Sequence, residues 1–290
     1  MTDGVSSRDA RGSSLFREDD DRWARALGHL DEGGHYLDPF LGELKRRAHL
    51  GLVERWIGGP RLRNLLKTDL FEEACGTDKL LPTLATISAH VVGIDKAVVV
   101  VARAKRNDPE GRGWYVAADT CRLPFRQGTF SAALSPSTLD HFEDPRDLGN
   151  SLSELGQALE SAGRLVITLD NRQNVFDPLL RLASRLGLVP YFLGRSYSID
   201  ELGVELENAG FEVLDRTAIL HNPRLVATGA VALARVLRIG ALRKLVYSAL
   251  TRAQRLEHTR WRYRTGSFVA ALAVPVREPK VLPVEAATSS

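Results

Sequence analysis

Two aspartates close short apolar, β-branched runs in this chain: Asp95 ends HVVGID and Asp119 ends WYVAAD. The carboxyl edge of a parallel sheet is where ligands bind, because loops diverge there and helix N-termini turn their N–H groups into the crevice. A carboxylate ~20 residues beyond the first strand's turn can accept two hydrogen bonds at once and so grip the paired hydroxyls of a ribose. Asp95 meets that requirement. Taken singly, a carboxylate at a strand end is more often a helix cap; the combination argues for a ligand.

Positioning such groups requires strands alternating with helices, the pattern of a mainly parallel sheet covered on both faces. Seven strands are expected, at Leu65–Glu73, His90–Asp95, Gly113–Ala118, Phe130–Ser135, Gly163–Leu169, Phe211–Ile219 and Gly266–Pro275. Helices are expected over Lys79–Ser88, Lys96–Asn107, Pro145–Ser161, Val175–Leu186 and Ser198–Ala209, with one more at Pro39–Trp56 and two across Arg224–His258. Ser198 and Glu201 form a capping box, and Gly210 ends that helix because glycine takes the left-handed conformation without steric cost.

The fold class is therefore α/β: a Rossmann-like, seven-stranded, mostly parallel sheet with helices on both faces. The last strand is antiparallel, and extra helices precede strand 1 and separate strands 6 and 7. Residues 21–276 are read as one domain with a helical insertion at about 222–262. Polar, aperiodic residues 1–20 and the proline-containing 277–290 are read as disordered tails.

With 44% apolar and 26% charged residues the chain can build a sizeable core. Two cysteines, Cys75 and Cys121, exclude a disulfide framework, and no Cys/His cluster has the spacing of a metal site. Packing is the expected role of both. A reducing cytoplasm fits best, and no window approaches the ~18 apolar residues of a membrane span. The net charge of +3 does not by itself call for nucleic acid, and no nucleic-acid partner is expected.

The run VAADTCRLPFRQGTFSAALSPSTLDHFEDPRDL resembles the third-to-fourth-strand block of the class I S-adenosylmethionine-dependent methyltransferases. Upstream, EEACGTDKLLPTLATISAHVVGID resembles the same family's first block, and GRLVITLDN its fifth strand. The resemblance spans about Leu65–Asn171 and implies S-adenosylmethionine as cofactor. It places Glu72 beside the methionine or ribose end, Asp95 on the ribose hydroxyls with Lys96 beside it, and Asp119 with Thr120 at the adenine. Ala74 and Gly76 belong to the loop that approaches the cofactor, and Ser135 borders the methyl-transfer site. Where the family has G-x-G-x-G this chain reads Ala74-Cys75-Gly76-Thr77-Asp78, keeping only the central glycine. In a second register Lys67-Thr68-Asp69 ends the strand and Leu70–Ala74 forms a longer loop. The first register is favoured, because it puts Glu72 and Asp95 at the family's separation, with Asp69 kept as a candidate.

Methyl transfer needs proximity and alignment, and a base only where the acceptor loses a proton. Asp140 and His141, in the loop after the fourth strand, are the base candidates, against a loop-packing role for the histidine. Asp170, Asn171 and Arg172 follow the fifth strand at the ligand edge, where turn capping is the simpler account. The expected activity is methylation of a small-molecule, glycan or lipid-linked acceptor. The alternative is a non-catalytic domain that binds the cofactor weakly or not at all. A nicotinamide-dependent dehydrogenase is disfavoured by the missing G-x-G-x-x-G. Arg224–Arg264 is rich in arginine among helically spaced apolar residues, with Glu257 its one acidic residue. A solvated lid, a surface for anionic membrane lipid, and lastly a nucleic-acid face are its three readings.

Overall fold

Leu65 and Leu66 are adjacent in sequence, fully buried, and packed into different cores, so their strand is covered by apolar side chains on both faces. The structure, a computed structural model, describes residues 38–276 apart from 60, 77, 78, 143, 187–193 and 238. The expected tails, 1–20 and 277–290, lie outside the described residues, as do Thr77 and Asp78 of the altered loop.

The elements run α1 (Pro39–Trp56), β1 (Leu62–Thr68), α2 (Phe71–Cys75), α3 (Leu81–Ile87), β2 (Ser88–Asp95), α4 (Val98–Arg106), β3 (Trp114–Ala117) and β4 (Phe130–Pro136). After a 3-10 turn at Leu139–His141 come α5 (Arg146–Ala158), β5 (Leu159–Asp170), α6 (Asp177–Arg185), α7 (Ile199–Asn208) and β6 (Phe211–Ile219). The chain continues with α8 (Arg224–Val236), α9 (Gly240–Ala253), a second 3-10 turn, α10 (Arg262–Thr265) and β7 (Phe268–Pro275). The sheet order is β3-β2-β1-β4-β5-β7-β6. β7 is antiparallel to both β5 and β6, and the other pairings are parallel. Sheet and extra helices follow the sequence expectation.

One core packs α1, α3, α4 and α8 on the sheet; the other packs α5 and α7 on the opposite face. Local chemistry fixes the helix starts. Asp38 accepts from the Phe40 N–H at 2.8 Å with Pro39 in the first helical position. Ser198 and Glu201 exchange both capping-box bonds, at 3.1 and 2.7 Å, and Gly210 takes φ +82° after α7.

The first strand requires a correction. It ends at Thr68 rather than Glu73, and residues 71–75 are a helical turn. Asp69 turns the chain by adopting φ +67°, and its Oδ1 accepts from the Phe71 N–H at 2.7 Å. Aspartate tolerates that region because its short side chain can bond locally. The Ala74 N–H then reaches the Leu70 carbonyl at 2.9 Å, closing a helical turn. The second register is therefore the observed one, with its loop wound into α2.

Candidate active site

Asp69 follows β1 and Asp95 ends β2, and the two strands are neighbours in the sheet. Asp95 Oδ2 accepts from the Leu70 N–H at 3.0 Å and Oδ1 from the Ala97 N–H at 2.9 Å, so this carboxylate ties the loop after β1 to the start of α4. A carboxylate oxygen offers two acceptor positions, and one remains on each. Burial, and then the charge of Asp69, push the Asp95 carboxyl up to about 7.

Asp119 follows β3 two residues beyond Ala117, the register partner of Asp95. Lys96 Nζ lies 3.8 Å from Asp119 Oδ2, and Asp119 Oδ1 caps the Cys121 N–H at 2.9 Å. The Thr120 hydroxyl accepts from Ser151 at 3.1 Å, which ties it to α5. Asp69, Asp95, Lys96, Asp119 and Thr120 thus share one end of β1, β2 and β3.

Glu72, Ala74 and Gly76 do not join them at the strand ends. Glu72 lies in α2 and is ion-paired with Lys45 of α1. The Ala74 carbonyl accepts from Arg103 Nε at 2.9 Å and Asn107 Nδ2 at 2.8 Å, and its side chain is in the core. A Cβ on Gly76 would fall 1.8 Å from Glu72 Oε2 and 2.8 Å from Glu72 Cα, so the glycine serves the packing of this turn. Glu73 is wholly buried. Its Oε2 stands 2.9 Å from Lys67 Nζ, while Oε1 accepts from the Leu80 and Leu81 N–H groups, each at 3.1 Å. Lys67 also donates to the Asp69 carbonyl. Burial opposes the Lys67 charge, but the carboxylate of Glu73, aided by Asp69 and Glu72, outweighs it and raises the ammonium above its usual range. This buried pair was not foreseen; Lys67 follows the buried Leu65 and Leu66 in β1 and is itself buried, where a lysine is stable only when paired.

A second polar group sits at the ends of β4 and β5. Ser135 is fully buried and accepts from the Thr68 hydroxyl at 3.0 Å. The Ser137 N–H reaches Thr168 Oγ1 at 2.9 Å, and His49 Nε2 of α1 stands 3.2 Å from the same oxygen. Sequence reasoning passed over His49 because it belongs to a helix far from the strand motifs. Asp140 is buried: its Oδ2 accepts from the Asp170 N–H at 2.8 Å, and Oδ1, without a hydrogen-bond partner among the described residues, lies 4.0 Å from His141 Nε2. Burial and the Asp170 charge push the Asp140 carboxyl up to about 6. His141 is the accessible member, with 44% of its side chain exposed.

Asp170 continues this group outward into an open cleft between α6 and α8. Asp170 pairs with Arg224, whose guanidinium lies 4.6 Å from the centre of the Phe268 ring. Phe176, Leu179, Leu180 and Val226 supply apolar walls. Asn171 caps the turn as expected: its Nδ2 donates to the carbonyls of Tyr263 and Gly266, and its Oδ1 accepts from the Gln173 N–H. Cys75 lies in α2, and Cys121 borders the Asp119 group, its thiol 3.3 Å from the Ser151 hydroxyl. Burial raises the Cys121 thiol to about 11, which suits a packing residue rather than a nucleophile.

Comparison with known proteins decides which family this edge belongs to. The family model of the methyltransferase domain matches residues 71–167. The O-methyltransferase cnsE of Penicillium expansum is 30% identical over 217 residues, 72% of this chain and 75% of its own. The chain belongs to the class I S-adenosylmethionine-dependent methyltransferases. A second relative, the O-methyltransferase rstn1 of Aspergillus nomiae, is 25% identical to this methyltransferase over 58% of the chain and 75% of its own length. Among solved structures the fold matches the [4+2]-cyclase SpnF, with a TM-score of 0.53 at 21% identity over 80% of this chain and 82% of that one. It also matches a geranyl diphosphate C-methyltransferase from Streptomyces coelicolor, at 0.52 and 12% over 79% and 76%.

Proposed function

We propose that this methyltransferase transfers a methyl group from S-adenosylmethionine to a hydroxyl oxygen of a small, largely apolar acceptor held in the cleft at the end of β5. The observation that carries the reading is the join between the two polar groups: Asp140 Oδ2 accepts from the N–H of Asp170, so the His141 loop abuts the cleft that Asp170 lines.

The residues present fit the cofactor's nucleoside half. Asp95 keeps one acceptor position on each oxygen for the two ribose hydroxyls. Asp69 and Lys96 flank it, Asp119 and Thr120 take the adenine side, and Ser135 borders the transfer site. When bound, the cofactor supplies an electrophilic methyl on a sulfonium sulfur. His141 takes the proton from the acceptor hydroxyl, a task suited to an imidazole near neutral pH. Asp140 is a positioning residue that holds the loop against Asp170. Arg224 and Asp170 orient the polar end of the acceptor, while the apolar walls receive its apolar part.

The test is incubation of the purified protein with methyl-labelled S-adenosylmethionine and a panel of phenolic and aliphatic alcohols, followed by mass spectrometry. An O-methylated product with stoichiometric S-adenosylhomocysteine is expected; cofactor binding without turnover of any alcohol would refute the acceptor assignment. One observation favours a second, non-catalytic reading: Ala74 and Cys75, which open the altered glycine motif, are helical, and Glu72 is tied to Lys45. Calorimetric titration with S-adenosylhomocysteine separates the two, because a relic should give no binding heat.

A further inference from the structure

The corner between α8 and α9 exposes aliphatic side chains that the sheet does not need. Val236, Leu237 and Ile239 are 78%, 48% and 49% exposed. Leu233 and Val226, also exposed, precede Leu237 by helical repeats of four and eleven residues, so the apolar stripe runs back along one face of α8. It spans about 17 Å at the usual helical rise, and Val226 at its far end lines the cleft. Cations stand beside the corner. Arg243 and Lys244 open α9 and are exposed, and no ion pair joins either of them to an acid among the described residues. Across Arg224–Arg264 ten lysines and arginines face a single acid, Glu257, which is engaged by Arg55 of α1.

We infer that the α8–α9 corner docks on an anionic membrane surface, its aliphatic side chains entering the acyl boundary while Arg243 and Lys244 lie among lipid headgroups. Exposed aliphatic side chains beside unpaired cations are the composition of an interfacial helix. A second copy of the chain would bring the same cations face to face, a repulsive arrangement for a symmetric interface. A nucleic acid would use the cations but gain nothing from valine and leucine, which offer no stacking face. Contact is peripheral, since no helix among the described residues is long and apolar enough to cross a bilayer.

The experiment is sedimentation of the full chain with vesicles of phosphatidylcholine alone or with phosphatidylglycerol added, at low and high salt. Binding is expected only to the anionic vesicles and should weaken with salt. R243E/K244E should bind at least roughly tenfold more weakly, at about fivefold per cation near the surface. V236D/L237D should likewise lose binding, with circular dichroism confirming that both variants fold. No sedimentation with anionic vesicles, or equal binding to neutral ones, would overturn the inference. So would a dimer abolished by V236D/L237D, or an RNA gel shift abolished by R243E/K244E, in protein that ignores vesicles. Cofactor binding is read separately, so its loss would bear on the transfer reaction and not on the docking.

Discussion

Lys67 Nζ stands 2.9 Å from Glu73 Oε2 with the two side chains only 1% and 3% exposed, and this pair joins the end of β1 to α2. Each partner has further work. Lys67 donates to the carbonyl of Asp69, and Glu73 accepts the two N–H groups ahead of α3. With those bonds made, the charges are compensated; with one partner gone, the other is a bare ion in the core.

K67M should therefore destabilise the fold by about 3–5 kcal/mol, the cost of an uncompensated buried charge. In K67M/E73Q the amide keeps an acceptor for Leu80 and Leu81 and removes the stranded charge, so the double variant should be more stable than K67M alone. Urea unfolding of the four proteins of the cycle reads the coupling directly. Equal stability of K67M and wild type would show that the pair contributes nothing.

Binding of S-adenosylhomocysteine should depend on the ionisation of Asp95. Hydroxyl donors favour the charged carboxylate, whose pKa is pushed up to about 7 by burial and by Asp69. Affinity should fall about tenfold per pH unit below that value and level off above it. D69N removes the neighbouring charge, so the falling limb should move to lower pH while aspartate-like bonding to Phe71 is kept. D95N places an amide against the N–H of Leu70 or Ala97 and should abolish the pH dependence along with most of the affinity. Calorimetry from pH 5.5 to 8.5 checks all three; a pH-independent affinity in the wild type would remove Asp95 from the site.

Much of the sheet was legible because its signal is repetitive: the buried strands are apolar runs, and the capping box at Ser198 announces α7 in four residues. Asp95 and Asp119 were legible for the same reason, each closing such a run. What misled was the stretch LLKTDLFEEAC, where apolar residues fit an extended strand as well as a turn of helix. The positive φ of Asp69 and the buried pairing of Lys67 with Glu73 decide between them, and neither leaves a mark in the apolar pattern. Lys45, His49 and Arg224 were missed because each reaches the sheet edge from a helix distant in sequence, so no spacing rule brings them near Glu72, Thr168 or Asp170.

Arg224 links the cleft to the sheet. R224M would leave Asp170 without its ion pair beside Asp140, destabilising the fold by roughly 2 kcal/mol, less than a fully buried pair because Arg224 keeps 19% exposure. The Asp140 carboxyl, already raised by Asp170, should rise further. If the pair orients the acceptor, KM for the acceptor should increase about tenfold with little change in cofactor affinity, the loss expected for one charge-assisted hydrogen bond. Steady-state kinetics against each substrate separates that outcome from a general loss of structure, which would weaken both.

Asp140 and His141 can be told apart by what each substitution moves. H141N removes the base and should lower kcat by about 10²–10⁴ while leaving KM near its original value. D140N keeps a carbonyl for the Asp170 N–H and puts an amide toward His141, so a smaller kcat loss is expected, together with a changed pH–rate profile. Stability gives an independent reading. A carboxyl raised from 3.8 to about 6 in the folded state binds its proton more tightly there than in the unfolded chain. The stability contributed by protonated Asp140 should therefore fall as pH rises from about 4 to 6 and be gone above, where the Asp95 carboxyl continues the decline toward pH 7. D140N lacks that titration, so its stability should decline less over the same interval. Unfolding measured at steps of half a pH unit checks this, and parallel curves for the two proteins would show that the Asp140 carboxyl is not held as its burial beside Asp170 requires.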